Sequence, residues 1–274
     1  LSASAPSSGS VVFDGISIDE LFLDYTLRDT FLFRVGKQSM TWGNGQLFNP
    51  ANLVSPVGGA MTLRGFAPLG TGGVTLVAIA KNGFFADPEL PGLAEVGYAG
   101  RFEWNLSPFS GTMAGYYQAA SGPRSSVSVK FPLWGADVSL EGVVNWEDDL
   151  AQNTYDALLA AFWEGTDWGL QVVGECWFES DRLPDGLGSR IGMGLLATDL
   201  LPRWNPGIRW FHAFYDNSGE VILGADGPVA DNLRMSVGLP ISYGEPGTTY
   251  RETTEDPLGR AAALIVRFTL STSF

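Results

Sequence analysis

Asn232-Leu-Arg-Met-Ser-Val-Gly-Leu-Pro-Ile-Ser-Tyr-Gly244 carries two interleaved rows of side chains. Leu233, Met235, Val237, Leu239, Ile241 and Tyr243 form an unbroken apolar row, while Arg234, Ser236, Gly238, Pro240 and Ser242 form the other. Successive Cβ atoms of a strand point to opposite faces, so this period of two predicts a β-strand with one apolar and one polar face. The pattern recurs throughout the chain. Leu264, Val266, Phe268, Leu270 and Phe274 stand against Arg267, Thr269 and Ser271. Val138, Leu140, Val144 and Trp146 oppose Asp137, Ser139, Glu141, Asn145 and Glu147. Val96, Tyr98, Phe102 and Trp104 oppose Glu95, Arg101 and Glu103, and Leu170, Val172, Cys176 and Phe178 oppose Gln171, Glu175 and Glu179. Val127, Val129, Phe131 and Leu133 oppose Ser126, Ser128 and Lys130.

Alternation alone fits a soluble sandwich with one wet face, but three features favour a barrel in a membrane. The predicted strands run about 10–13 residues, where soluble strands average ~5–6. Several apolar rows end in Trp or Tyr (Trp104, Trp146, Tyr243), as in the aromatic girdles of membrane barrels. The opposite rows mix charge with small Gly and Ser, as a wet interior requires. Short turns near residues 27–30, 67–72, 106–110, 133–135, 164–167 and 230–232 alternate with longer connections at 43–59, 82–92, 147–155, 180–188 and 244–259. Barrels with short periplasmic turns and long outer loops alternate in this way. The expected fold is therefore all-β, an antiparallel transmembrane β-barrel. About fifteen strands can be counted, from 17–27 to 260–274. A closed bacterial barrel has an even number, so sixteen are expected, with residues 10–14 as the extra strand and fourteen as the alternative. Residues 1–9 read as a loose N-terminal segment, and residues 10–274 as a single barrel domain.

Composition excludes several classes. The 16 Lys and Arg against 30 Asp and Glu leave a net charge of −14, which repels phosphate backbones and argues against nucleic-acid binding. The longest apolar run, 157–163, is far short of the ~18 residues of a spanning helix. A mean hydropathy of +0.07 is likewise too polar for a helical membrane protein. No basic segment followed by an apolar one opens the chain, so any leader is expected to have been removed. The lone Cys176 has no internal disulfide partner.

Two stretches carry a family resemblance. Phe274 closes the chain behind alternating Val266, Phe268 and Leu270, with Thr272 interrupting the row. This resembles the terminal-strand signal of bacterial outer-membrane proteins. The stretch Phe31-Leu-Phe-Arg-Val-Gly-Lys-Gln-Ser-Met-Thr-Trp-Gly43, followed by Leu47-Phe48-Asn49-Pro50, is similar to a strand of porin-like barrels that leads into a long loop. The resemblance implies a bacterial outer-membrane location, with lipid and the barrel-assembly machinery as partners. It implies no particular solute.

Among candidate sites, His212 is the only histidine, which excludes a multi-histidine metal centre, and Asp216 follows on its face without a nucleophile elbow. No P-loop, dinucleotide fingerprint or zinc motif occurs. No enzyme, cofactor or metal is expected. The polar rows predict a lumen lined by Asp24, Arg34, Gln38, Arg64, Glu95, Arg101, Glu103, Lys130, Asp137, Glu141, Glu175, Glu179, Arg234 and Arg267. Residues 43–59, nearly uncharged and carrying Asn44, Gln46, Phe48, Asn49 and Asn52, are expected to fold inward as a constriction loop. The leading expectation is a passive channel for small polar solutes or ions, leaning toward cations because the predicted outer loops are acidic. The alternative is a non-conducting structural barrel that holds a partner protein in its lumen or on its loops; a homo-oligomer is also compatible. A transporter of hydrophobic compounds ranks last, because the inward rows read as mostly polar.

Overall fold

The period-two rows become strands. The computed structural model describes residues 3–4, 12–13, 20–28, 30–54, 60–80, 96–119, 121–147, 152–165, 169–182, 188–198, 203–230, 233–251 and 265–270. In chain order the strands are β1 (Ala3–Ser4), β2 (Val12–Phe13), β3 (Leu21–Leu27), β4 (Phe31–Gln38), β5 (Ala60–Leu69) and β6 (Gly72–Ala80). Then come β7 (Gly97–Leu106), β8 (Phe109–Gln118), β9 (Gly122–Leu133), β10 (Ala136–Asn145), β11 (Thr154–Gly165) and β12 (Leu170–Glu179). The last are β13 (Ser189–Ala197), β14 (Asn205–Ala213), β15 (Ser218–Ala230), β16 (Leu233–Tyr243) and β17 (Ile265–Leu270).

Strands β3 to β17 form a fifteen-stranded sheet in which every strand is bonded to its sequence neighbours. The fold is thus an all-antiparallel meander, with strands as long as 13 residues. Among the described residues the sheet thus has fifteen strands, between the sixteen expected and the alternative of fourteen. Val12–Phe13, within the segment expected to supply another strand, pairs instead with Ala3–Ser4 in a separate two-stranded sheet. Tight hairpins join the long strands. At Trp134 (φ 53°) and Gly135 (φ 81°) both central residues are left-handed, the conformation whose twist matches flanking strands in a two-residue turn. Trp134 is 94% exposed at that tip.

Two units are distinguished. The first comprises Leu1–Trp42, Asn52–Trp104 and Ala114–Pro123. In it, one sheet face buries Gln38, Thr62, Thr75, Val77 and Ile79, while Leu23, Leu63 and Leu76 of the other face are exposed. Residues 40–42 and 52–54 are tied together by the Trp42 N–H, which donates to Asn52 Oδ1 at 2.9 Å.

The second unit comprises Gly43–Ala51, Asn105–Met113 and Arg124–Phe274. Its buried face carries Ser128, Ser139, Glu141, Val143, Leu158, Ala160, Glu175 and Glu179. Its other face exposes Leu140, Leu159, Met193, Leu195 and Leu223. The register follows the rows read from sequence: Met235 pairs with Phe268 and Val237 with Val266, while Ser236 pairs with Arg267 and Arg234 with Thr269.

Candidate functional site

Residues 43–51 have no regular secondary structure and lie on the buried face of the second unit. Glu175, in the middle of β12 and 3% exposed, holds them there. Its carboxylate accepts the backbone N–H of Gln46 at 2.5 Å, of Leu47 at 3.1 Å and of Phe48 at 2.6 Å. Successive amides converging on one anion form a concave nest, here with the protein's own side chain as the anion. Glu141 of β10, 4% exposed, accepts the N–H of Asn44 in the same manner. The Asn44 side chain donates to Ser128 Oγ at 3.1 Å, and that hydroxyl also bonds Thr112 at 2.7 Å. Paired buried polar groups keep the segment in one place, because releasing them would leave amides and carboxylates unsatisfied.

Apolar contacts complete the seat. The Phe48 ring meets Trp177 at 5.5 Å and Phe211 edge-on at 5.7 Å between centroids. A Cβ at position 192 would come within 3.0 Å of Leu47 Cδ1 and Phe48 Cε2, so glycine on β13 lets the loop approach the wall without those side chains having to shift. Beside the segment lies a cavity of about 440 Å³, lined by loop residues Gln46 and Leu47 and by side chains of β11 to β16.

The structure pairs many of the predicted lumen charges with neighbours. In the first unit, Arg34 forms a bidentate bond to Asp24 at 2.6 and 2.8 Å and lies over the Phe22 ring at 3.8 Å. Arg64 sits opposite Arg34 in register, Gln38 donates to Thr62, and Arg101 pairs with Glu103 at 2.5 Å. In the second unit, Lys130 pairs with Asp137 at 2.8 Å, Arg190 with Glu179 at 2.7 Å and Arg234 with Asp226 at 2.6 Å. Arg267 shares its register position with Ser236. Asn52 belongs to the first unit, apart from the 43–51 segment with which it was grouped in the sequence. Glu95 and Phe274, together with residues 55–59 of the expected loop, fall outside the described residues.

Other candidates serve different ends. His212 lies on β14 with Trp210, stacks on Trp210 and Tyr243, and its Nδ1 bonds the Tyr243 hydroxyl at 3.0 Å. Asp216 accepts from Ser218 and Thr249, tying the turn before β15 to residues 244–251. Burial works to raise its pKa, but these hydrogen bonds outweigh it and hold the carboxyl below its ordinary range. Cys176 is exposed on the apolar face, and no cluster of three or more His, Cys, Asp or Glu suited to a metal occurs among the described residues.

Sequence reasoning missed the apolar part of the wall. Leu158, Ala160 and Phe162 of β11, Val173 of β12 and Gly192 of β13 share the loop-facing side, whereas the alternation predicts inward rows that are mostly polar. The signal was present: residues 157–163 are apolar on both rows, and a strand with no polar row needs cover on both faces. Arg190 and Arg209, also on this side, belong to strands whose alternation is weak.

No protein-family model matches the chain, and no curated protein matches it. Solved structures do. A porin refined at 1.8 Å superposes with a TM-score of 0.53 at 10% identity, over 87% of this chain and 90% of that one. Pseudomonas aeruginosa OccK11 (OpdR) gives a TM-score of 0.54, also at 10% identity, over 87% of this chain and 75% of its own. The likeness is one of fold: the antiparallel, sequence-ordered sheet is that of a porin-like β-barrel.

Proposed function

We propose that this chain is a passive channel of the bacterial outer membrane for small polar solutes or ions, with an acidic mouth that favours cations. The observation that carries the reading is the seating of residues 43–51. This uncharged segment is fixed by its own amides to Glu141 and Glu175 on the buried face, and an open cavity of about 440 Å³ remains beside it. A segment held in this way narrows a passage without filling it. The porin-like fold supports the reading, as does an outer face bearing exposed Leu140, Leu159, Met193 and Leu195, suited to acyl chains. The reading takes residues 10–274 as one barrel, with lipid and the assembly machinery as partners, and assigns no residue to catalysis.

The lean toward cations rests on the acidic residues Asp181 and Glu245 in connections of the second unit, together with Asp87, Glu89, Glu255 and Asp256, which lie outside the described residues. Acidic surfaces around a low-dielectric opening concentrate cations, and salt screens the effect beyond about 10 Å at 0.1 M. One observation favours the non-conducting barrel instead: five ion pairs among the described residues neutralise charges locally on the same or neighbouring strands. Reversal potentials in a planar bilayer under a KCl gradient separate the readings. Cation preference that fades with salt is expected; anion preference at low salt overturns the electrostatic part. Absence of conductance overturns the channel and leaves the structural barrel.

A further inference from the structure

We infer that the cavity beside residues 43–51 is a retention site for small uncharged ring-bearing solutes with a carboxamide-like polar edge, a reading that deepens the channel function and rests on it. At about 440 Å³ the space falls in the ~300–1,000 Å³ range of small-molecule sites. Its walls are apolar where a ring would lie: Leu47 from the loop, Phe162 from β11, Val173 from β12 and Ile222 from β15. Gly207 and Gly224, paired across β14 and β15, also line it, and the Leu196 side chain packs over Gly207, 3.2 Å from where a Cβ would stand, adding to the apolar wall. Such surface holds an apolar ring better than it holds a hydrated ion, which would have to shed water against it.

Polar groups share the lining with these walls, Arg209 standing opposite Ile222 in register. Gln46 supplies an amide from the loop, and Gln171, whose Nε2 donates to Glu164 at 2.9 Å, keeps its carbonyl oxygen as an acceptor. Arg209 is exposed, lines the cavity, and has no ion pair among the described residues. Asp226 of the same lining is already bridged to Arg234 at 2.6 Å. A neutral carbonyl accepts from Arg209 and the attached N–H₂ donates to Gln171, without the desolvation a full charge incurs. A cation meets a screened repulsion from the exposed Arg209. An anion gains only a screened attraction at this exposed guanidinium.

The probe is benzamide, with acetamide (amide without ring) and benzoate (ring with charge) beside it, bound to the full chain in lipid nanodiscs and corrected for empty nanodiscs. Saturable benzamide binding is expected, with acetamide at least about tenfold weaker and benzoate weaker than benzamide. Ile222→Asn should weaken benzamide about tenfold by placing an amide on the apolar wall. Val173→Thr, which keeps the side-chain shape, should weaken it severalfold and serves if Ile222→Asn fails to fold. Benzamide at the blank level, indifference to both substitutions, or tighter binding of benzoate each overturns the inference. Single-channel recording on the same preparation keeps the two readings apart. Conductance without benzamide retention sinks the site alone; retention without conductance sinks the passage and leaves the site standing.

Discussion

Replacing Glu175 with alanine removes the acceptor for three consecutive amides, those of Gln46, Leu47 and Phe48. Hydrogen bonds to charged groups contribute about 1.5–3 kcal/mol each, whereas typical ones contribute nearer 1. The site borders a cavity from which water can take over part of the bonding, so the lower figures apply, about 1–1.5 kcal/mol per amide. Three such bonds sum to about 3–4.5 kcal/mol, which shifts seating of the loop by roughly two to three orders of magnitude. Glu141→Ala loses only the Asn44 amide, about 1–1.5 kcal/mol or roughly tenfold. Glu175→Gln should fall between, since one carbonyl oxygen remains while an N–H₂ group turns donors toward donors. Hydrogen exchange read by mass spectrometry on a peptide covering residues 43–51 measures the opening directly. Faster exchange is expected in the order Glu175→Ala, Glu175→Gln, Glu141→Ala, native. Unchanged exchange in Glu175→Ala, or a larger effect from Glu141→Ala, refutes the carboxylate cradle as the seat of the loop.

Three further outcomes follow from particular residues. Phe268→Arg, at the register position of Met235, should lower the yield of folded barrel by a depth-dependent ~2–4 kcal/mol, whereas Thr269→Arg should be tolerated; equal loss from both sinks the facing. Gly192→Val should unseat Leu47 and Phe48 and speed exchange across residues 43–51 while leaving the barrel folded, as checked by far-UV circular dichroism. Because Asp216 has its pKa lowered on folding, its hold on residues 244–251 is complete above the ordinary carboxylate pKa of ~3.9 and is lost as pH falls through the depressed value. Proteolysis of that connection should rise only in acid for the native chain and already at neutral pH for Asp216→Asn; equal cleavage of the two at neutral pH counts against the anchor.

What the sequence disclosed was period, and period has limits that individual residues expose. The rows around β16 and β17 were legible because one side is apolar and the other polar, and a register slip would have put Arg234 and Arg267 among Met235 and Val266. β11 was illegible in that respect, since Leu158, Ala160 and Phe162 are as apolar as Leu159, Ala161 and Trp163. Glu141 and Glu175 were recognised as wall residues, and Asn44, Gln46 and Phe48 as loop residues. That the first pair grips the others was hidden, because alternation reports which side a residue takes and not which distant segment it meets. Arg34 faces Asp24 directly across β3 and β4, whereas Arg234 reaches Asp226 diagonally across β16 and β15, and both pairings are fixed only once the register is known.

The grip of Glu141 and Glu175 on residues 43–51 also orders events in time. Asn44 and Glu141 are 97 residues apart in the chain, and Gln46 and Glu175 are 129 apart. Contacts of such separation incur loop-closure entropy long before they return any free energy, and they form slowly. Hairpins such as β9–β10 close on a microsecond scale from neighbouring residues alone. The carboxylate of Glu175 has no fixed position until β11, β12 and β13 are aligned. Docking of the segment is therefore a late step of maturation, and a chain interrupted before β12 carries residues 43–51 without the side chain that receives them.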